Sequence, residues 1–171
     1  MALAPLDPPL GEEERRRLVM ALHDSPTMLV AAVAGGGNAV ITDLLDIGGA
    51  SRTVLEIVVP YAPSAMAEFT GMMPIGRGAV SAEQAETMAR AALARAAALA
   101  PAIEVPLLGL AITAALATDR VRRGEDRAHV CLATGDDVVH RSIAFERGAL
   151  DRLAEDRSVA DAALRLLGEH L

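Results

Sequence analysis

The sequence predicts an α/β fold: a three-layer α/β/α sandwich around a mixed sheet, in one domain. Three observations predict it. Five runs have strand length and strand composition, Met28 to Ala34, Thr53 to Val59, Val105 to Ile112, Arg127 to Thr134 and Val138 to Phe145, and the first is continuously apolar, as a strand covered on both faces must be. Between them lie segments whose apolar residues recur at helical spacing. The last two runs are joined by Gly135-Asp136-Asp137, which is hairpin turn chemistry, so an antiparallel pair makes the sheet mixed.

Residues 1–10 are proline-marked and read as a flexible lead-in; residues 11–171 form the single domain, against a prior of about 150 residues per domain. Gly11 to His23 is an acidic-to-basic helix with Leu18, Val19 and Leu22 inward. The first strand meets Gly35-Gly36-Gly37-Asn38 and then a helix with Val40, Ile41, Leu44 and Leu45 on its apolar side, ended by Gly48 and Gly49. A short connection carrying Ser51 and Arg52 leads to the β-branched run that stops at Pro60. Pro63 to Phe69 is a short helix and Gly71 to Gly78 a loop. Ser81-Ala82-Glu83-Gln84 opens the long helix Ser81 to Ala100 with a capping box. The chain ends in a helix, Leu150 to Leu171, with Val159, Ala163, Leu166 and Leu167 inward.

Composition excludes several classes of partner. The net charge of -7 provides no basic surplus to replace the counterions of nucleic acid or to seek an anionic membrane. No apolar run approaches the ~20 residues of a membrane span, and Met1 to Leu10 lacks a charged segment ahead of an apolar core, so a cytoplasmic protein is expected. Cys131, between Val130 and Leu132, reads as a buried, inert thiol. His129 and His140 are placed at solvent or a polar edge; no His/Asp/Cys cluster has metal-ligand spacing, and neither metal nor cofactor is expected.

The chemically suggestive stretch is Val30 to Tyr61. Glycines at a strand-to-helix turn let a ligand approach the main chain, and the helix start directs N–H groups at an anion, although such a turn often serves only the chain reversal. The stretch resembles the C-terminal domain of the CinA competence/damage-inducible family, whose stand-alone relatives are nicotinamide mononucleotide deamidases. The family pattern Ala-Glu-Ser-Cys-Thr-Gly-Gly falls on Ala32 to Asn38, Asp-Val-Pro-Gly-Ser-Ser on Asp46 to Ser51, Val-Val-Ala-Tyr-Ser-Asn-Glu-Ala-Lys on Val58 to Met66, and Leu-Gly on Thr70-Gly71. The resemblance implies the fold and a nucleotide-shaped pocket. It also places the family's nucleophilic serine on Ala34 and its lysine on Met66, so the attacking hydroxyl and the activating cation are both missing while Tyr61 is retained.

Further along, the family's Val-Ser helix opening matches Val80-Ser81, the threonine of its glycine-rich phosphate loop falls on Thr113, and an arginine near the start of its last helix falls on Arg152. The glycines after that threonine are absent here, so anion contacts would come from side chains such as Thr113, Thr118 and Arg120. A branch fused to cytidylyltransferase-like modules in plants is similar at Gly-Gly-Gly, Gly-Ala-Ser-Arg-Thr-Val-Leu-Glu and Val-Pro-Tyr. The expected function is a catalytically degenerate relative of the nicotinamide-nucleotide amidohydrolases that keeps a pocket for a nucleotide or other small phosphorylated molecule. Its lining would be Gly35, Gly36, Gly37, Asn38, Ser51, Arg52, Tyr61, Thr113, Arg120 and Arg152. The alternative is an active deamidase or related hydrolase, with Asp43, Asp46 or Asp119 as general base. Arg157 reads as a plain surface charge. A mean hydropathy of +0.32 and the apolar Gly71-Met72-Met73-Pro74-Ile75 loop suggest a homo-oligomer.

Overall fold

The structure is a computed structural model that describes residues 7–72, 79–100, 104–119, 124–135 and 137–171. In chain order the elements are α1 (Glu12–Asp24), β1 (Met28–Ala34), α2 (Ala39–Asp46), α3 (Ala50–Thr53), β2 (Val54–Val58), α4 (Pro63–Thr70), α5 (Ala82–Leu99), β3 (Leu107–Ala115), β4 (Asp126–Thr134), β5 (Asp137–Phe145) and α6 (Arg152–Gly168). The strands form one sheet in the order β2-β1-β3-β4-β5. β1 runs parallel to both β2 and β3, and β4 and β5 pair antiparallel, so the sheet is mixed as expected.

Strand alternation separates two helical layers. Leu29, Ala31 and Val33 of β1 join Leu108, Leu110 and Ile112 of β3 against α1, α2 and α6, through Leu22, Leu44, Leu164 and Leu167. Ala32 and Ala34 face the other way, onto Met66 of α4 and Ala85, Met88 and Ala89 of α5. The first layer carries the larger side chains, each contributing about 1.5–3 kcal/mol on burial. The second uses alanine and glycine to bring α5 close: a Cβ on Gly109 would sit 2.2 Å from the Ala89 carbonyl oxygen. This is why the chain manages with 2% aromatic residues.

Tertiary structure moved several boundaries. Ala50–Thr53 forms a short helix entered through Gly49 at φ 113°, so the second strand begins at Val54 and not at Thr53. The third strand continues through Thr113 to Ala115 because β4 pairs with it there, Thr113 opposite His129 and Ala115 opposite Arg127. Ser81 caps α5 as read from the sequence, its Oγ accepting from the Gln84 amide at 3.1 Å. The end of the lead-in is tied down: Leu10 is buried, its amide donates to Asp161 at 2.9 Å, and the Pro8 carbonyl accepts from Arg165 at 2.6 Å. Residues 1–6, the loop from Met73 to Ile75 and Asp136 lie outside the described residues.

Cys131 is buried, and desolvation pushes its thiol up to about 12, consistent with an inert role. His129 and His140 are each half-buried, and His140 lies against the polar flank of α5, in keeping with a polar edge. His129 Nδ1 pairs with Ser142 Oγ at 2.9 Å, and His140 Nε2 lies 3.4 Å from Glu86. Among the described residues no helix is long and apolar enough to cross a membrane, and no group of three or more His, Cys, Asp and Glu side chains is arranged to hold a metal.

Candidate functional site

From β1 the chain leaves through α2 and α3 to β2 on one side, and from β2 through α4 and α5 to β3 on the other. The order therefore reverses between β1 and β3, and a crevice opens beyond their carboxyl ends, the place where open α/β sheets take ligands. Two clefts adjoin there and share Gly35, Tyr61 and Ala114. One, of about 310 Å³, is apolar, with Ala34, Pro63, Met66, Val80 and Thr113 on its walls. The other, of about 440 Å³, is polar, with Leu116, Thr118, Asp119 and Arg152.

The apolar cleft contains the two substituted positions. Ala34 ends β1 on the α5 side of the sheet, 8% exposed, and Met66 of α4 meets it there, 5% exposed. Thr113 lines the cleft, but its hydroxyl donates to the Ala79 carbonyl at 2.6 Å. Tyr61 stands at the mouth, 70% exposed, where its ring faces both clefts. A hydrophobic wall with an accessible aromatic ring suits a flat, weakly polar group and offers neither nucleophile nor cation.

The glycine turn is shaped by packing. Gly35 has φ 85°, and a Cβ on it would lie 1.9 Å from the Ala114 carbonyl oxygen; Gly37 has φ 76°, and its Cβ would lie 2.8 Å from Val159 Cγ1. Both residues let the chain pass between β3 and α6. The start of α2 is already occupied. The amides of Asn38 and Ala39 each donate at 3.0 Å to the carboxylate of Asp156 in α6, and Asn38 Nδ2 adds a third bond at 3.1 Å. Asn38 makes no capping bond of its own, so a carboxylate 118 positions away satisfies the helix start.

One turn earlier in α6, Arg152 donates from Nη2 to the Gly35 carbonyl and from Nη1 to the Ala117 carbonyl, both at 3.0 Å. Glu155, fully buried, accepts from the Ala117 amide at 2.6 Å. The first turns of α6 thus hold both peptide groups of Ala117, between Leu116 and Thr118 of the polar cleft. Arg152 remains exposed and makes no ion pair with a carboxylate among the described residues, so its charge faces the cleft. In the same cleft Thr118 Oγ1 donates to Asp119 at 3.1 Å.

Of the residues singled out in the sequence, the crevice brings together Gly35, Tyr61, Thr113 and Arg152, with Gly36, Gly37 and Asn38 in the adjoining turn. Arg120 lies outside the described residues. Ser51 and Arg52 are elsewhere. They precede the amino end of β2, and because β1 and β2 are parallel, they lie at the opposite end of the strands from Gly35. Arg52 donates to the His23 carbonyl at 3.0 Å and to Asp24 at 2.8 Å. Asp43 is held by Arg157, and Asp46 lies between α1 and α2, which leaves Asp119 as the candidate base at the crevice.

Arg157 is not a plain surface charge: it pairs with Asp43 and, at 3.1 Å, with buried Asp161. Asp156 and Glu155 were not visible as site residues. Acidic side chains in a helix's first turns are already accounted for by that helix's own dipole, and nothing local says that they serve other segments.

No protein-family model matches the chain, and no curated protein matches it. Solved structures do. The competence/damage inducible protein CihA from Agrobacterium tumefaciens superposes with a TM-score of 0.73 at 23% identity, covering 98% of this chain and 97% of that one. A CinA superfamily protein from Escherichia coli gives 0.75 at 16% identity over 98% and 96% of the two chains. One from Enterobacter cloacae gives 0.73 at 17% identity over 99% and 98%. The chain shares the fold of these CinA-superfamily structures.

Proposed function

We propose that this CinA-fold chain binds a nucleotide or related small phosphorylated molecule in the crevice and is catalytically degenerate toward nicotinamide-nucleotide amide hydrolysis. The observation that carries the reading is the pairing of Ala34 with Met66 in the apolar cleft, where the resemblance puts a nucleophile and its cation, beside a polar cleft that still presents Arg152. The ligand's flat group fits against Tyr61 and Met66, and its anion fits at Arg152 with the Thr118 hydroxyl near it. A methyl and a thioether can neither attack an amide nor activate water.

Two measurements test this. Incubation with nicotinamide mononucleotide should release no ammonia above background, and a thermal-shift screen of pyridine, adenine and cytidine nucleotides should find a stabilising ligand. Ammonia release at ordinary enzyme rates would instead support water activation by Asp119, the candidate base that lines the polar cleft. A screen without any stabilising nucleotide would overturn the binding reading.

Cytoplasmic location and self-association belong to the same proposal. Val59 and Tyr61 at the β2–α4 corner and Met72 beyond the end of α4 are at least half exposed, which supports contact between copies. Light scattering that gives a mass of 17.8 kDa at micromolar concentration would refute the oligomer.

A further inference from the structure

Arg152 and Asp156 are four residues apart on α6, which puts their side chains on one face, about 5–6 Å apart at Cβ. Each reaches the β1–α2 turn from that face. Arg152 takes the Gly35 carbonyl, and Asp156 takes the Asn38 and Ala39 amides with both carboxylate oxygens. Two positions for negative charge therefore flank the glycine turn. The one at Arg152 opens into the polar cleft; the one at the start of α2 is filled by the protein itself. An anion entering over the turn would have to displace three hydrogen bonds and meet a carboxylate at close range.

We propose that Asp156 is a specificity-determining residue of the crevice: its carboxylate stands as a built-in anion at the start of α2, directs the ligand's anionic group to the Arg152 side and excludes ligands that need a second phosphate over the glycine turn. The specificity role rests on the crevice being the ligand site, whereas the closure of the turn does not. It also accounts for a turn with three glycines that offers no free helix-start amides at Asn38 and Ala39. The glycines are required by Ala114, Leu116 and Val159, and the amides are used internally.

The test uses the full chain, 15N-labelled, with inorganic phosphate and pyrophosphate as probes and the amide signals of Asn38 and Ala39 as readout. In the parent protein neither probe should shift these amides saturably. Asp156→Ala should make both amides respond, with pyrophosphate affinity raised about two- to fivefold, the range expected for one charge at a helix start. Asp156→Asn keeps an acceptor for the amides and removes the charge, so it covers the case in which the alanine variant fails to fold; it should show the same gain in weaker form. Saturable shifts of Asn38 and Ala39 in the parent, or folded variants without any gain, would overturn the proposal. Failure of the binding reading itself would look different: no nucleotide would move the signals of Tyr61 or Arg152 in any variant.

Discussion

Arg152 reaches across 117 positions of sequence to donate to the carbonyl of Gly35, at 3.0 Å. Gly35 directly follows β1 and lines both clefts, so the bond ties the last helix to the centre of the crevice. The same guanidinium holds Ala117 and still faces the polar cleft, which makes it both a strut and an available cation.

Arg152→Ala should therefore abolish nucleotide-dependent stabilisation, whereas Arg52→Ala should leave it intact. With a ligand at about 100 times its dissociation constant the parent gains ~2.7 kcal/mol, a difference a thermal-shift titration resolves. Arg52→Ala should lower only the unfolding temperature of the free protein, because Arg52 serves His23 and Asp24 of α1. Equal loss of ligand response in both variants would place the site at the other end of the sheet.

Restoring the missing pair should not restore the reaction. In Ala34→Ser with Met66→Lys, the lysine replaces a side chain only 5% exposed, where desolvation favours its neutral form and weakens its help to the serine. The glycine-rich loop expected after Thr113 is also absent, and a misplacement of about 1 Å costs ~100-fold in rate. Ammonia release from nicotinamide mononucleotide should stay at background, and stability should fall by about 1–3 kcal/mol in denaturant titration.

Arg157→Ala should cost about 2 kcal/mol, more than a surface charge would, because Asp161 is 1% exposed and loses one of its cationic partners. Arg15 and the Leu10 amide still serve Asp161, which keeps the loss below that of an isolated buried carboxylate. Urea unfolding measures it; a change within 0.5 kcal/mol, the usual range for surface sites, would restore the plain-charge reading.

Stability should decline as pH falls below the ordinary histidine value of 6.5. Burial lowers the pKa of His23, which is 1% exposed, with Arg52 adding to the shift while the Nε2 contact with the Leu44 carbonyl and the Asp24 charge oppose it. Burial lowers that of His129 too, with Arg127 and His140 adding to the shift and Glu83 opposing it. Both rings are harder to protonate in the fold than in the unfolded chain, so the unfolded chain takes up protons first and unfolding is favoured on the acid side. His23→Gln should flatten the pH dependence of the melting temperature between pH 7 and 5.5; an unchanged slope in both His23→Gln and His129→Gln would rule the mechanism out.

Local signals determined the elements and the layered class. Continuous apolar runs, helical spacing, Ser81 as a cap and a glycine-centred hairpin act over a few residues, so α1, β1, α5 and the β4–β5 pair were legible almost to their ends. So was the chemical character of the apolar cleft, because Ala34 and Met66 are identities that can be read without a structure.

Only the tertiary structure decided which end of the sheet each candidate occupies and which charges remain available. Ser51 and Arg52 follow the glycine turn closely in sequence, yet a parallel connection carries them to the opposite end of the strands. Asp156 and Arg157 look like ordinary helix charges, yet one fills the start of α2 and the other joins Asp43 to Asp161. The physical reason is that a side chain's partner is set by the path of the whole backbone: ion pairs and caps form between segments more than a hundred residues apart, and no local periodicity encodes them.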